Sequence, residues 1–205
     1  MNTKIIVSAV LAALVLAGCA TETRNIDIAN DQGKAVMELD YRDFDQAAVE
    51  MVHSMLAAGI FKKADGGRYV VATGRVINDT MQRIDTEQLT AKIEQEIANS
   101  GQVVMTSAVG GQGAPDEMVY QMRDLRDTEK ADEFKGGTLP GKGQIIAPEL
   151  SISGKILQRN IRYDNKTQQV EYYFQLKVTE LASGLRYWQK ETLIGKRGSK
   201  KVVPW

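Results

Sequence analysis

Apolar positions recur along this chain with two different periods, and the switch between them outlines the fold. Phe44, Ala48, Met51 and Met55 fall at helical spacing, and Gly59, with Ile60 and Phe61 behind it, supplies a C-terminal stop. Residues 69–77, Tyr-Val-Val-Ala-Thr-Gly-Arg-Val-Ile, have the β-branched density of a mostly buried strand, ended by Asn78 and Asp79. A second helix opens at Asp85, whose side chain caps while Gln88 reciprocates and Ile84 staples onto Leu89. Leu89, Ile93 and Ile97 form its core stripe, and Gly101 closes it. Residues 103–105 read as a short strand. A glycine-rich loop, 110–113, then leads to a third helix entered at Pro115, with Met118, Met122 and Leu125 on one side.

Residues 127–143 are charged and glycine-containing, which predicts a mobile or irregular connection. Beyond them the period drops to two. Segments 149–163, 168–181 and 185–194, joined by Asp164-Asn165-Lys166 and Ala182-Ser183-Gly184, read as a β-meander. In its middle strand Val170, Tyr172, Phe174, Leu176 and Val178 alternate with Glu171, Tyr173, Gln175, Lys177 and Thr179, so helices must cover one face while water wets the other. The first meander strand is apolar at Leu150, Ile152 and Ile156, then at Leu157 and Ile161, a change of phase that predicts a bulge or an edge near Ile156. The expected fold class is α/β (α+β): one domain with a mixed β-sheet, a C-terminal antiparallel three-strand meander and flanking helices.

The N-terminus follows neither period. Lys4 precedes a short apolar run, 5–16, too short to span a bilayer, and Leu16-Ala17-Gly18-Cys19 follows. Small residues before a cysteine suit lipidation of its thiol and cleavage ahead of it, so 1–18 reads as a lipoprotein signal peptide. Cys19 is the sole cysteine among 205 residues, which leaves neither a disulfide framework nor a cysteine metal site. Each buried methylene of an acyl anchor contributes roughly 0.8 kcal/mol, so several chains hold a protein at its membrane. Ala20 stands where an aspartate would favour inner-membrane retention, and the expected location is the periplasmic side of the outer membrane. Residues 19–38 are polar and read as the lipidated cysteine and a short tether, reaching about 70 Å at full extension. Residues 39–205 are the expected periplasmic domain.

Charge and motifs narrow the chemistry. Cleavage ahead of Cys19 would leave 25 Lys and Arg against 26 Asp and Glu, which gives no support to a nucleic-acid partner. Residues 136–142, Gly-Gly-Thr-Leu-Pro-Gly-Lys, match most of a phosphate-binding loop, but Gly143 stands where a Mg²⁺-binding Ser or Thr is required and no buried strand precedes, so no nucleotide is expected. His53 lies on the polar side of the first helix, with no second histidine to share a metal or relay a proton. No Gly-x-Ser-x-Gly or Ser-x-x-Lys occurs, and Asp124 and Asp127 belong to a charge-laced helix face. No catalytic residue, metal or cofactor is expected. What remains is a binding surface: Arg159, Arg162, Tyr163, Tyr173 and Lys177 sit on or beside the wet side of the meander.

Three stretches carry a family resemblance. Gly74-Arg75-Val76-Ile77-Asn78-Asp79-Thr80, Ile84-Asp85-Thr86 with Leu89-Thr90, and Ser153-Gly154-Lys155-Ile156 with Tyr172-Tyr173-Phe174-Gln175-Leu176 resemble the LpoB family, continued by Gly184-Leu185, Trp188 and Lys196-Arg197-Gly198-Ser199. The resemblance spans most of 40–205. It implies a fold like the TolB N-terminal domain and a non-enzymatic outer-membrane lipoprotein. Its implied partner is a class A penicillin-binding protein, the glycosyltransferase and transpeptidase that builds peptidoglycan, which it activates. Well-known members carry a long proline-rich linker, whereas the tether here is short. A structural or secretion-related envelope lipoprotein, like the curli-secretion assembly factors, is the alternative expectation.

Overall fold

The computed structural model describes residues 25–28, 30, 33, 35–110 and 116–202. Contacts divide the chain into Met1–Gly33 and Lys34–Trp205. In the first unit Asn30 N–H donates to the Asp27 carbonyl at 3.2 Å. The second unit carries α1 (Tyr41–Ala57), β1 (Tyr69–Asp79), α2 (Thr86–Asn99), β2 (Val103–Met105), α3 (Glu117–Arg126), β3 (Leu150–Arg162), β4 (Thr167–Glu180) and β5 (Arg186–Ser199). The order in the single five-stranded sheet is β2-β1-β3-β4-β5. β1 runs parallel to both β2 and β3, while β3, β4 and β5 are antiparallel, so the sheet is mixed and ends in the predicted meander. Parallel pairing requires a crossover, and α2 provides it between β1 and β2.

Both long helices bury the stripes that their spacing dictates. Phe44, Ala47, Ala48, Met51, Val52 and Met55 of α1 and Leu89, Ile93 and Ile97 of α2 meet Val170, Tyr172, Phe174, Leu176 and Val178 of β4 in one core. Phe44 packs edge-on to Phe174, with ring centroids 6.0 Å apart at 89°. Gly59 and Gly101 close the two helices at φ +67°, a left-handed turn that glycine adopts without steric cost. Asp85 caps α2 by accepting from Glu87 N–H at 2.9 Å, rather than through the expected reciprocal pair with Gln88. It is α1 that has the two-way capping box: Asp40 accepts from Asp43 N–H at 3.3 Å, and Asp43 accepts from Asp40 N–H at 2.8 Å. Pro115 lies outside the described residues; α3 starts at Glu117, capped by Asp116, and buries none of its side chains. Residues 127–143 are irregular apart from a 3-10 turn at Glu129–Glu133.

The phase change belongs to a different strand from the one expected. β3 pairs with β4 without interruption from Leu150 opposite Glu180 to Arg162 opposite Gln168, so its even-numbered positions stay on the helix side throughout, buried at Leu150, Ile152 and Ile156 and exposed at Asn160 and Arg162. The irregularity is on β1. Thr73 pairs with Ile152 and Val76 with Gly154, so Gly74 and Arg75 together oppose Ser153, and the inward positions shift from Val71 and Thr73 to Val76. A Cβ on Gly74 would stand 3.0 Å from Ser151 Oγ, which favours glycine at the bulge. The mostly buried strand expected over 69–77 is buried at Val71, Ala72, Thr73 and Val76, while Ile77 is exposed.

A second difference concerns the tether. Residues through 38 read as free, yet Met37 is buried in the core. Its carbonyl accepts from the Tyr172 hydroxyl at 2.9 Å, and the Glu38 carbonyl accepts from Lys196 Nζ at 2.6 Å. Leu39 N–H donates to Gln82 Oε1 at 3.1 Å, and Gln82 Nε2 in turn donates to the Tyr172 hydroxyl. Lys196 also pairs with Asp43 in a nearly dry site. Gly198 leaves room for Met37, since a Cβ there would lie 2.7 Å from the Met37 sulfur.

Candidate interaction face

Side chains alternate across a strand, so the β3–β5 register alone sorts the meander into two faces. Odd positions of β4 point away from the helices, as do those opposite them: Ser153, Lys155, Leu157, Arg159 and Ile161 on β3, and Gln189, Glu191, Leu193, Gly195 and Arg197 on β5. This face is half-buried to exposed, with Leu193 54% and Ile161 39% accessible.

Tyr173 and Arg159, two of the five residues singled out from sequence, meet here: the Arg159 guanidinium carbon lies 5.2 Å from the Tyr173 ring centre. The Tyr173 hydroxyl donates to Glu171 Oε2 at 2.6 Å, and Gln169 Nε2 donates to Glu171 Oε1 at 2.7 Å. Gln169 Oε1 accepts from Arg197 Nη2 at 2.6 Å, and the Arg197 guanidinium carbon lies 3.8 Å over the Tyr163 ring. One polar-aromatic chain, Arg159, Tyr173, Glu171, Gln169, Arg197, Tyr163, therefore crosses the exposed end of the three-stranded meander. The bonds from Tyr173 and Gln169 hold the Glu171 carboxyl below its ordinary pKa, and the bond to Glu171 raises the Tyr173 phenol.

Arg162 does not join this chain. It stands opposite Gln168, an even position on the helix side of the register, and donates from Nη2 to Asn165 Oδ1 at 2.8 Å in the hairpin turn. Lys177 is on the open face but at its other end, exposed and opposite Ser153 and Gln189. Arg197 was missed because the last strand was expected to stop at Ile194, whereas it continues through Gly195 and Gly198 to Ser199. The Lys196-Arg197 pair flanked by glycines was the available signal, since alternation puts one of the two on each face. Cys19 and the Leu16-Ala17-Gly18 ahead of it lie outside the described residues.

The remaining candidates occupy ordinary surroundings. His53 is exposed on α1. The segment resembling a phosphate loop is followed by strand β3 and not by a helix, so no helix N-terminus receives a phosphate there. No described helix is long and apolar enough to cross a membrane, and among the described residues no His, Cys, Asp or Glu cluster could hold a metal.

Fold and face together define an α/β domain with one sheet face covered by helices and the other presenting a bonded polar-aromatic surface. The sequence profile described as "Peptidoglycan-synthase activator LpoB" matches residues 43–194. This chain belongs to the LpoB family of peptidoglycan-synthase activators. Similar solved structures include the LpoB C-terminal domain from Escherichia coli, at 16% identity over 74% of this chain and 98% of that chain with a TM-score of 0.43. The NMR structure of E. coli LpoB is 14% identical over 88% of this chain and 81% of that one, with a TM-score of 0.39. Lipoprotein GNA1162 from Neisseria meningitidis is 12% identical over 65% and 85%, with a TM-score of 0.37. A search of curated proteins gives no match.

Proposed function

We propose that this protein is a non-catalytic lipoprotein, anchored through Cys19 to the periplasmic side of the outer membrane, that binds a class A penicillin-binding protein and raises its glycan polymerisation or crosslinking. The carrying observation is the family match across 43–194, which spans nearly the whole sheet. The open face supports a binding role: an exposed surface rich in tyrosine and arginine, its side chains already fixed by mutual hydrogen bonds, loses little conformational freedom on docking. Binding alone does not accelerate an enzyme. The activator must prefer the synthase's active conformation, and a preference of about 1.4 kcal/mol shifts that equilibrium roughly tenfold.

The test mixes the purified protein with the class A synthase of its own organism and lipid II. Faster glycan polymerisation or more crosslinking is expected. Charge reversal at Arg159 weakens the effect if docking uses the polar-aromatic chain, whereas Arg162→Glu, on the other side of the register, leaves it in place. A synthase that neither binds at micromolar concentration nor changes its turnover refutes the activator role. Cys19→Ala is expected to abolish acylation and to release the protein from outer membranes washed in high salt; full co-fractionation of the variant would refute the anchor.

A further inference from the structure

The cations of the open face are mostly held by a carboxylate or by the chain around Glu171, and the two that are not stand at one end. Lys155 pairs with Asp79 at 2.5 Å, and Arg159 and Arg197 belong to the chain around Glu171; the neighbouring acid, Glu191, accepts from the neutral Gln175 at 2.7 Å and has no ion pair among the described residues. Lys177 makes no ion pair or hydrogen bond among the described residues, and Arg186 bonds only the neutral Gln189 Oε1, at 2.6 Å. Both line a shallow concavity with Ile77, Ser153, Lys155 and Gln189.

The register gives these cations a direction. Lys155 is level with Gln175, Lys177 lies two residues further along β4, and Arg186 is level with Thr179, two residues further again. The three therefore step diagonally over β3, β4 and β5 at about 7–8 Å per step, the usual spacing of diagonal neighbours in an antiparallel sheet. In an extended peptide, side chains on one face repeat at about 6.6–6.8 Å. The two spacings nearly match.

We propose that this concavity is a docking site for an extended acidic segment with carboxylates at alternate positions, read by Lys177 and Arg186 with Lys155 at its end. Arg186 presents a planar fork suited to a carboxylate, Lys177 a mobile ammonium, and Ile77 an apolar contact for the methylene stem of a sheet-facing acidic side chain. The proposal deepens the activator reading, on which the assignment of that segment to a synthase rests; the site itself is testable without that partner.

The probe is a blocked peptide of three glutamates alternating with threonines, titrated into the ¹⁵N-labelled full chain and followed by NMR. Shifts confined to Ser153, Lys155, Lys177, Arg186, Gln189 and their neighbours are expected, with binding weakened about tenfold in the Lys177→Gln/Arg186→Gln double variant and by added salt. Lys190→Gln, whose parent pairs with Glu50 at 3.0 Å on the helix side, removes a lysine charge outside the concavity and is expected to bind as wild type. The site is refuted if the glutamine version of the peptide binds equally well, if inorganic phosphate at equal ionic strength displaces the peptide, if shifts arise elsewhere, or if the double variant binds unchanged. Failure of the activator reading is seen separately, in synthase turnover.

Discussion

Replacing Tyr172 by Phe removes one oxygen from the centre of the molecule and tests how the segment ahead of α1 is held. The ring is fully buried, so Phe fills nearly the same space and the perturbation is confined to hydrogen bonding. The hydroxyl donates to the Met37 carbonyl at 2.9 Å and accepts from Gln82, which also receives Leu39 N–H at 3.1 Å. Losing a typical bond costs about 0.5–1.5 kcal/mol, and stranding a buried carbonyl costs about 1–3 kcal/mol. Tyr172→Phe is therefore expected to destabilise the domain by about 2–3 kcal/mol, which lowers Tm by roughly 5–10 °C for a chain of this size. Urea unfolding followed by circular dichroism measures the change, and faster amide exchange at Leu39 locates it. Tyr173→Phe, on the open face, is the control, with an expected effect within about 0.5 kcal/mol. Burial, opposed by the Gln82 bond, pushes the Tyr172 phenol from 10.0 up to about 12. The native state thus keeps this proton longer than the unfolded chain, so the associated stability is full below about pH 10 and lost as pH rises through about 12. The difference corresponds to roughly 2–3 kcal/mol and is absent from the phenylalanine variant. A variant with wild-type midpoint, unchanged Leu39 exchange and the same alkaline decline would refute this account of the network.

Two further substitutions test other parts of the frame. Gly154→Ala would place a Cβ 2.4 Å from the Gln175 carbonyl oxygen and 2.6 Å from Leu176 Cδ2; since backbone cannot rotate aside, a loss of about 2–3 kcal/mol in urea unfolding is expected, and a neutral effect would refute the close β3–β4 approach. Burial alone would raise the Asp40 carboxyl, but the Arg42 bond, the Lys196 charge and the Asp43 N–H outweigh it and hold the pKa below 3.8. That contribution is present above the unfolded value and lost as pH falls through the lower folded one, so Asp40→Asn is expected to flatten the decline in unfolding midpoint below about pH 4, and parallel acid limbs would refute it.

How much of this was legible in the sequence depended on whether a feature is local. The α1 and α2 stripes and the β4 alternation follow from one element's periodicity, and each apolar residue named for them is buried. Pairing between distant strands is not local. Leu157 after Ile156 mimics a phase change, although Leu157 simply faces outward, while the real bulge is concealed in Gly74-Arg75 because glycine and arginine mark no face. The α1 capping box escaped notice because Asp43 replaces the usual Glu or Gln, and its second partner, Lys196, is remote in sequence. The same holds on the candidate face: Tyr173, Arg159 and Lys177 were visible from alternation, whereas Arg197 required the true end of β5 and Arg186 the bulge between Val178 and Thr179.

Met37, Glu38 and Leu39 also change how the domain meets a mechanical load. Tension on the chain ahead of Ala35 reaches the Met37 side chain, the Tyr172 hydroxyl, Lys196 and Gln82 before it reaches the first turn of α1. These holds engage β4, β5 and the loop after β1, so a tug is divided among separate parts of the domain instead of peeling one helix from its end. The arrangement works as strain relief does on a cable: a load applied at residue 35 is shared by several anchor points before the first turn of α1 carries it.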